Sequence, residues 1–208
     1  MSTASRPASR TPPARVPGPA HNRRVPTFPP AAVIRPAAPQ DMTAIAEIYA
    51  YYVTDTVITF EETPPPPAYW QQRLRDLSDR GLPFLVAEAA GSLAGYAYAA
   101  PWRPKPAYRH TVENTIYLAP DRTGQGIGGA LLAELVDRCA KADVRQIMAV
   151  IADTGDGTSP ALHRRHGFTQ VGRLTEVGFK HGRWVDTILM QRTLPGSGLT
   201  RLGAAAAP

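Results

Sequence analysis

The sequence predicts a three-layer α+β domain, in which helices cover both faces of a mixed, mostly antiparallel central sheet. Helical and strand patterns alternate along the chain in the order β-α-α-β-β-β-α-β-α-β-β. Such an alternation is typical of one sheet with helices packed on its faces. Hydrophobic residues make up 43% of the chain, which is enough to build the core that this architecture requires.

The first elements are a short strand and two helices. Val33–Pro36 is a predicted strand, and Asp41 is a candidate cap for a helix through about Val53. Apolar residues recur at helical spacing in that helix: Ile45, Ile48, Tyr49 and Tyr52. A run of prolines then breaks the chain, and a second helix spans Tyr69–Arg80 and ends at Gly81.

Three strands follow the second helix. Pro83–Glu88 and Leu93–Ala100 are predicted to form a hairpin through a turn at Ala90-Gly91. Thr111–Leu118 is the next strand. All three segments are short and apolar, and each is bounded by turn residues.

A glycine-rich turn at Thr123–Gly128 opens the third helix, which extends to about Lys141. The apolar stripe of this helix contains Leu131, Leu132, Leu135, Val136 and Cys139. The remaining predicted elements are a strand at Arg145–Ile151, a short helix at Ser159–His166, and strands at Phe168–Leu174 and Trp184–Leu194.

The two ends of the chain are expected to lie outside this domain. Residues 1–32 contain five arginines, eight prolines and no acidic residue, and they offer too little apolar surface to fold. Residues 195–208 form a second loose tail. The net charge of +6 comes from these tails, because the domain at residues 33–194 has 17 basic and 17 acidic residues. A neutral domain gives no electrostatic reason to expect a nucleic-acid partner.

Cys139 is the only cysteine, which excludes an internal disulfide and a cysteine metal cluster. Among the five histidines only His163 and His166 are close in sequence, and no carboxylates support them as metal ligands. Neither a secretory signal nor an apolar run of about 20 residues is present. We therefore expect a soluble cytoplasmic protein without a bound metal or a membrane association.

The most informative segment is IYLAPDRTGQGIGGALLAELV, where glycines precede a helix. Glycines allow close approach of the backbone, and a helix start offers free N–H groups and a positive dipole end. The loop is suited to a phosphate or pyrophosphate, although a plain tight turn has the same pattern. Gly129-Ala130 replaces the Lys-Ser/Thr of a P-loop. The position after four strands favours coenzyme A over a dinucleotide.

This loop resembles the pyrophosphate-binding motif of the GNAT superfamily of N-acetyltransferases, with Thr123 where Arg or Gln is usual. Three further blocks, PWRPKPAYRHTVENTIYL, LHRRHGF and GFKHGRWVDTILMQ, resemble the phosphinothricin and methionine sulfoximine acetyltransferases. The resemblance covers residues 33 to 194. It implies the acyl-CoA N-acyltransferase fold, acetyl-CoA as cosubstrate, and a homodimer. It also implies acetylation of the α-amino group of phosphinothricin, methionine sulfoximine or methionine sulfone.

The resemblance assigns the catalytic roles to two residues. Glu113 matches the general base, which the reaction needs because an α-ammonium of pKa about 8 must lose a proton before it attacks a thioester. His163 matches an active-site histidine that either deprotonates the amine or orients the substrate. The alternatives are a solvent-facing glutamate in an alternating strand and a histidine used only in packing.

Substrate contacts are implied for Trp102, Arg103, Pro104 and Lys105, together with Glu113 and His163. A guanidinium in this loop suits an acidic group or a phosphinate or sulfone oxygen, and the alternative is a basic solvated loop. Phe60 and Tyr108 are candidate apolar walls of the site. Four other aromatic residues are expected in the core: Tyr69, Trp70, Phe84 and Trp184.

Coenzyme contacts are implied for the fourth strand, the glycine loop and the region where the fourth helix begins: Ile116, Tyr117, Leu118, Thr123, Gly124, Gln125, Gly126, Ile127, Gly128, Asp156 and Ser159. The strand is expected to splay from its neighbour, so that a free N–H can stabilise an oxyanion. Asp156 replaces a family asparagine, which exchanges an amide donor for an anion. Ser159 is also a candidate helix cap.

Two other functions fit the same fold. One is an acetyltransferase acting on a protein amine, such as a ribosomal N-terminus. The other is a non-catalytic GNAT module that the basic tail directs to a polyanion. The small-substrate motifs and an intact Glu113 argue against these alternatives.

Overall fold

A computed structural model describes residues 32–195, so the predicted tails lie outside the described residues except for Ala32 and Pro195. The predicted order of elements is confirmed, with three additional single 3₁₀ turns. The strands are β1 Val33–Pro36, β2 Phe84–Ala89, β3 Ser92–Pro101, β4 Thr111–Leu118, β5 Gln146–Ala152, β6 Thr169–Lys180 and β7 Arg183–Thr193. The helices are α1 Met42–Asp55, α2 Pro67–Asp79, α3 Ile127–Lys141 and α4 Thr158–Arg165.

All seven strands belong to one sheet in the order β1-β2-β3-β4-β5-β7-β6. Every neighbouring pair is antiparallel except β4 and β5, which are parallel and joined through α3. Parallel neighbours need such a crossover connection, and the antiparallel pairs β2–β3 and β6–β7 need only tight turns. The predicted mixed, mostly antiparallel sheet is confirmed.

Two hydrophobic clusters pack on opposite faces of the sheet. One joins α3 to the sheet and contains the whole predicted stripe of that helix, including the fully buried Leu131 and Leu135. The other joins α1 and α2 to the sheet through aromatic residues, with Trp70 and Tyr96 fully buried. This arrangement confirms the predicted three layers. Within residues 32–195, no helix combines the length and apolar character needed to span a membrane.

The predicted cap of α1 is wrong in its chemistry. Asp41 occupies the N-cap position, but its carboxylate makes no hydrogen bond to the helix. It accepts bonds from both terminal nitrogens of Arg35 at 2.7 and 2.9 Å, and from the Ala38 N–H at 2.8 Å. The Arg35 guanidinium therefore holds the pKa of Asp41 below its usual value. Asp41 links β1 to the start of α1 instead of capping the helix.

Strand β6 is longer than the predicted Phe168–Leu174, because it continues to Lys180. Its pairing with β7 shifts register near Gly172 and again between Leu174 and Gly178. These bulges break the alternating pattern that identifies a strand in sequence. His181 and Gly182 both have positive φ, as a two-residue hairpin turn requires, so pairing with β7 extends to the turn.

Two of the four aromatic residues expected in the core are exposed. Trp70 and Phe84 are buried, as predicted. Tyr69 is 40% exposed and Trp184 is 61% exposed. Tyr69 contacts Trp70 and Arg73 on α2, and Trp184 packs against Phe179 at a centroid distance of 5.0 Å on the outer strands of the sheet. Residue type alone did not separate these positions from the core.

Candidate active site

The parallel strands β4 and β5 pair only at their beginnings. Their register ends at Glu113↔Met148, although β4 continues to Leu118 and β5 to Ala152. Over these later residues each strand pairs with its other neighbour. Among the described residues, the β5-facing edge of β4 therefore has no strand partner after Glu113. The N–H and C=O groups that point to this edge are available to an extended ligand, except the Leu118 carbonyl, which accepts a hydrogen bond from the Tyr52 hydroxyl at 2.7 Å. This edge includes the predicted contacts Ile116–Leu118.

The glycine loop forms the start of α3. Gly124 and Gly126 have φ of +74° and +80°, and Gly126 is the N-cap of the helix. An added Cβ at either glycine would meet no atom within 4 Å, so the space above the loop is open. The free N–H groups of the first turn and the positive dipole end border this space. The geometry therefore offers an anion site.

The neighbours of the glycines shape the loop from outside. Thr123 and Gln125 are exposed, and Gln125 Nε2 donates to the Asp121 carbonyl at 3.1 Å. Ile127 is buried and anchors the first turn of α3 in the core. The predicted loop contacts thus divide into exposed residues that border the open space and two buried residues, Ile127 and Gly128, that pack the first turn of α3 against the core.

The loop and the unpaired edge of β4 are adjacent. A Cβ added to Gly128 would lie 3.5 Å from Leu118 Cδ1 and 3.6 Å from Leu162 Cδ2, in ordinary van der Waals contact. The start of α3 therefore packs directly on the end of β4 and on α4. A ligand with an anionic group at the loop could extend along the free edge of β4 toward Glu113.

Glu113 is the last residue of β4 that pairs with β5. The carboxylate is half-buried, and no hydrogen bond or ion pair from residues 32–195 reaches it. Burial raises the pKa of Glu113, and the positive charge of Arg103 partly offsets this effect. A carboxylate with a raised pKa is a stronger base, so the environment suits proton abstraction.

The loop after β3 places one guanidinium near this carboxylate. Arg103 lies over the Trp102 ring, with Cζ 4.6 Å from the ring centroid. Trp102 is half-buried, and its backbone N–H donates to the carbonyl of Thr111, the first residue of β4. Pro104 and Lys105 are exposed and point to solvent. Only the first part of the predicted substrate loop is therefore fixed beside Glu113.

His163 lies in a buried polar pair on α4. Its Nδ1 is 2.8 Å from the Ser159 carbonyl, which can only accept, so Nδ1 carries the proton. Its Nε2 is 3.0 Å from Asn114 Nδ2 and accepts from that amide. Burial lowers the pKa of His163, which is 2% exposed, and favours the neutral ring. Both ring nitrogens are therefore occupied.

The two predicted catalytic residues are on opposite faces of the sheet. Side chains alternate along β4. Val112 and Ile116 pack in the α3 cluster, and Asn114 contacts His163 of α4 on that same face. Tyr117 packs with α1 and α2, so Glu113 belongs to that other face. The structure joins His163 to Asn114 and keeps it away from the Glu113 carboxylate.

Asn114 was missed by the sequence reasoning. It is 7% exposed, and its Oδ1 has no hydrogen-bond partner among the described residues. The available signal was a second polar residue directly after Glu113 in the apolar strand TVENTIYL. A buried side-chain amide needs a partner, and the structure shows that this partner is His163.

The two predicted contacts on α4 have different surroundings. Asp156 is exposed, and its Oδ1 accepts the Thr158 N–H at 2.8 Å, which lowers the pKa of the Asp156 carboxyl. Ser159 lies inside α4, whose N-cap is Gly157, so the predicted capping role of Ser159 is wrong. Asp156 performs that local function instead, and Ser159 contributes its carbonyl to His163.

Lys180, which lies on the α1 side of the site, was also missed by the sequence analysis. Lys180 is 4% exposed and donates through Nζ to the Thr59 carbonyl at 2.8 Å and to the Tyr52 carbonyl at 3.5 Å. The ring of Phe60 lies against the backbone of Gly178, where a Cβ would be 2.3 Å from the ring. The β6–β7 hairpin thus reaches the segment after α1 and fixes Phe60 in place. Both predicted wall residues are partly open to solvent, Phe60 at 41% and Tyr108 at 43% exposure.

The described residues contain no group of three or more His, Cys, Asp or Glu side chains that could hold a metal ion.

Comparisons with known proteins identify the family of this chain. A family model described as an acetyltransferase (GNAT) domain matches residues 34–189. The chain is 47% identical over 164 residues to phosphinothricin N-acetyltransferase of Alcaligenes faecalis, covering 79% of this chain and 83% of the relative. It is 39% identical to the L-methionine sulfoximine/L-methionine sulfone acetyltransferase of Pseudomonas aeruginosa, covering 78% and 95%.

Solved structures show the same fold. A GNAT superfamily phosphinothricin acetyltransferase from Sinorhizobium meliloti, solved in complex with acetyl-CoA, aligns with a TM-score of 0.78 and 44% identity over 86% of this chain and 96% of that one. A ribosomal-protein-alanine N-acetyltransferase from Brucella melitensis aligns with a TM-score of 0.75 and 39% identity over 78% and 99%. From the family match and these identities, the chain belongs to the GNAT family of acetyltransferases.

Proposed function

We propose that the chain transfers the acetyl group of acetyl-CoA to the α-amino group of a small amino-acid-like substrate of the phosphinothricin, methionine sulfoximine or methionine sulfone type. One observation carries the proposal. The anion site at the start of α3 adjoins the free edge of β4, and that edge leads to Glu113. The names of the relatives that share most of the chain supply the substrate class.

The chain's residues fit acetyl-CoA. The amides around Gly124 and Gly126 would hold the diphosphate, and the free edge at Ile116–Leu118 would pair with the pantetheine amides. Thr123 and Gln125 would contact the coenzyme from the rim of the loop. When bound, the thioester supplies the acetyl group and its electrophilic carbon.

Glu113 is the proposed base. Its carboxylate would take the proton of the substrate ammonium, directly or through one water, so that the amine lone pair becomes available. The raised pKa of Glu113 brings its basicity closer to that of the amine. A backbone N–H of the free β4 edge would then stabilise the developing oxyanion.

Of the two roles open to His163, positioning has the better support. Its ring is neutral and both nitrogens are occupied, by Ser159 and Asn114, so no lone pair is free to accept a proton. His163 lies on the α3 and α4 side of the sheet, where β4 and β5 no longer pair, next to the proposed course of the coenzyme. We assign to it the placement of Asn114 and of α4.

The test is release of free coenzyme A with a panel of amino acids and analogues. Phosphinothricin, methionine sulfoximine and methionine sulfone should be acetylated by the full-length protein. Glu113→Gln should lower kcat/KM by about 10²-fold or more, the usual contribution of a general base. Thr115→Val is the control, because it changes a residue two positions along the same strand and face but retains the Glu113 carboxylate. Unchanged turnover in Glu113→Gln would remove that residue from the mechanism.

A protein amine is the second candidate substrate, since one structural neighbour bears that name. Acetylation of an N-terminal alanine peptide, with no turnover of the three small substrates, would favour it. A non-catalytic module directed by residues 1–32 would instead show salt-sensitive DNA binding that is lost when the tail is deleted.

We further propose that the chain is a homodimer in the cytoplasm. Five apolar side chains are exposed on the edge strand β6 and its neighbour β7: Val171, Leu174, Val177, Phe179 and Trp184. Among them Phe179 and Trp184 contact each other, and such an exposed aromatic pair suits burial against a second copy. Sedimentation should give twice the chain mass, and Phe179→Glu should give monomers.

The single free cysteine, Cys139, is buried, which suits a reducing compartment.

A further inference from the structure

Arg73 on α2 differs from the other half-buried arginines of the described chain. Three of them, Arg35, Arg122 and Arg138, pair with carboxylates. Two others, Arg145 and Arg192, donate to backbone carbonyls. Arg73 donates only to a phenol, the Tyr69 hydroxyl. No carboxylate of residues 32–195 forms an ion pair with it. Asp76 on the same helix acts on the guanidinium only through its charge, so most of the Arg73 donors remain for an anion.

The guanidinium is held between two aromatic rings. Its Cζ lies 5.2 Å from the centroid of Tyr69 and 5.6 Å from that of Tyr98. Tyr69 also accepts a hydrogen bond from Arg73 Nη2. Stacking and hydrogen bonding restrict the side chain before any ligand arrives, which lowers the entropic cost of binding. The position of this charge is therefore part of the fold.

The same rings place Arg73 on the face of Glu113. Tyr98 of β3 pairs with Thr115 of β4, so these side chains share a face. Glu113 is two residues from Thr115 and shares that face, at a strand spacing of about 7 Å. The pKa of Tyr98 responds to both neighbours, since Arg73 lowers it and Glu113 raises it. Arg73 and Glu113 therefore both lie near Tyr98, on the α1 and α2 side of the sheet.

An α-amino acid presents an ammonium and a carboxylate on the same carbon atom. If Glu113 receives the proton of the ammonium, the carboxylate must lie a short distance away. Arg73 supplies a positive, planar and pre-oriented donor group on that face. Arg103, exposed above Trp102 on the loop after β3, remains for the oxidised or anionic end of the substrate's side chain.

We propose that Arg73 binds the α-carboxylate of the amino acid and makes this chain selective for free amino acids over their amides and for α-amino acids over simple amines. The inference rests on the proposed acetyltransferase function. It adds a specificity-determining residue from α2 to a site otherwise built from β4 and the loop after β3.

The experiment compares the best amino acid of the panel with its carboxamide, measured as kcat/KM for coenzyme A release. Arg73→Gln should lower kcat/KM for the free acid by about 10- to 100-fold, the effect of a charge-assisted hydrogen bond. The carboxamide should change little, because it has no negative charge to lose. Arg73→Lys, which keeps the charge without the planar fork, should show an intermediate loss.

Arg75→Gln is the matched control. Arg75 is an exposed arginine on the same helix, and it donates to Gln72. Neither substrate should be affected by this change, and thermal unfolding should show that both variants are folded. If Arg73→Gln lowers both substrates equally, or neither, the assignment is overturned. If the wild type acetylates no amino acid, the proposed function itself fails, and the two failures are distinguishable.

Discussion

Asn114 of β4 donates a hydrogen bond from Nδ2 to Nε2 of His163 on α4 across 3.0 Å. The direction of this bond is fixed, because His163 Nδ1 must donate to the Ser159 carbonyl at 2.8 Å. The pair closes the α4 side of the gap between β4 and β5 with neutral groups. A neutral histidine at this position makes the fold sensitive to acid.

The stability of the protein should fall as the pH drops below about 6.5, the ordinary pKa of histidine. Burial lowers the pKa of His163 in the folded state, so the unfolded chain binds the proton first and unfolding is favoured. The loss begins at the unfolded pKa and is complete at the lower folded pKa. Urea unfolding between pH 8 and 5 measures this loss. The free energy of unfolding of His163→Gln should depend less steeply on pH in this window.

The pH profile of kcat/KM should have an acidic limb set by Glu113. Activity requires the ionised carboxylate, so it rises with pH through a pKa above the ordinary 4.5. Arg103→Gln should move the limb to higher pH, because the positive charge that favours ionisation is lost. Arg109→Gln, an exposed arginine of the same loop, should leave the midpoint in place. A limb that does not move in Arg103→Gln would contradict the electrostatic link.

Periodicity and glycine punctuation were sufficient to predict the order of the elements and the start of α3. The stripe from Leu131 to Cys139 has one strong period, and the local geometry at Gly126 requires a residue that tolerates positive φ. These features depend on neighbours in sequence. The end of β6 at Lys180 does not, because its two bulges are defined only by pairing with β7.

The polar contacts of the site depend on residues far apart in sequence. His163 and Asn114 are 49 residues apart, and Lys180 lies 121 residues from Thr59. No local pattern encodes such pairs. The resemblance identified Glu113 and His163 as active-site residues, but only the alternation of side chains along folded β4 shows that they face opposite layers. The catalytic assignments themselves remain predictions.

Lys180→Met should destabilise the protein by about 1–3 kcal/mol, the cost of leaving buried carbonyls without a charged donor. Lys180 Nζ joins the β6–β7 hairpin to the carbonyls of Thr59 and of Tyr52 in α1. Losing this link should also free the segment that carries Phe60, so KM for the amino acid should rise. Lys141→Met, at an exposed position, should change the free energy of unfolding by no more than about 0.5 kcal/mol. Equal effects of the two substitutions in urea unfolding would contradict the proposed link.

Gly126→Ala should raise KM for acetyl-CoA while leaving KM for the amino acid unchanged. Gly126 has φ of +80° at the N-cap of α3, where an alanine costs about 1–2 kcal/mol and the relaxed backbone would turn its amides away from an anion. Gly81→Ala is the matched control, since Gly81 has φ of +65° at the end of α2 and also has open space around its Cα. Both variants should lose similar thermal stability, but only Gly126→Ala should weaken coenzyme binding in calorimetry. Equal affinity in the two variants would place the diphosphate elsewhere on the protein.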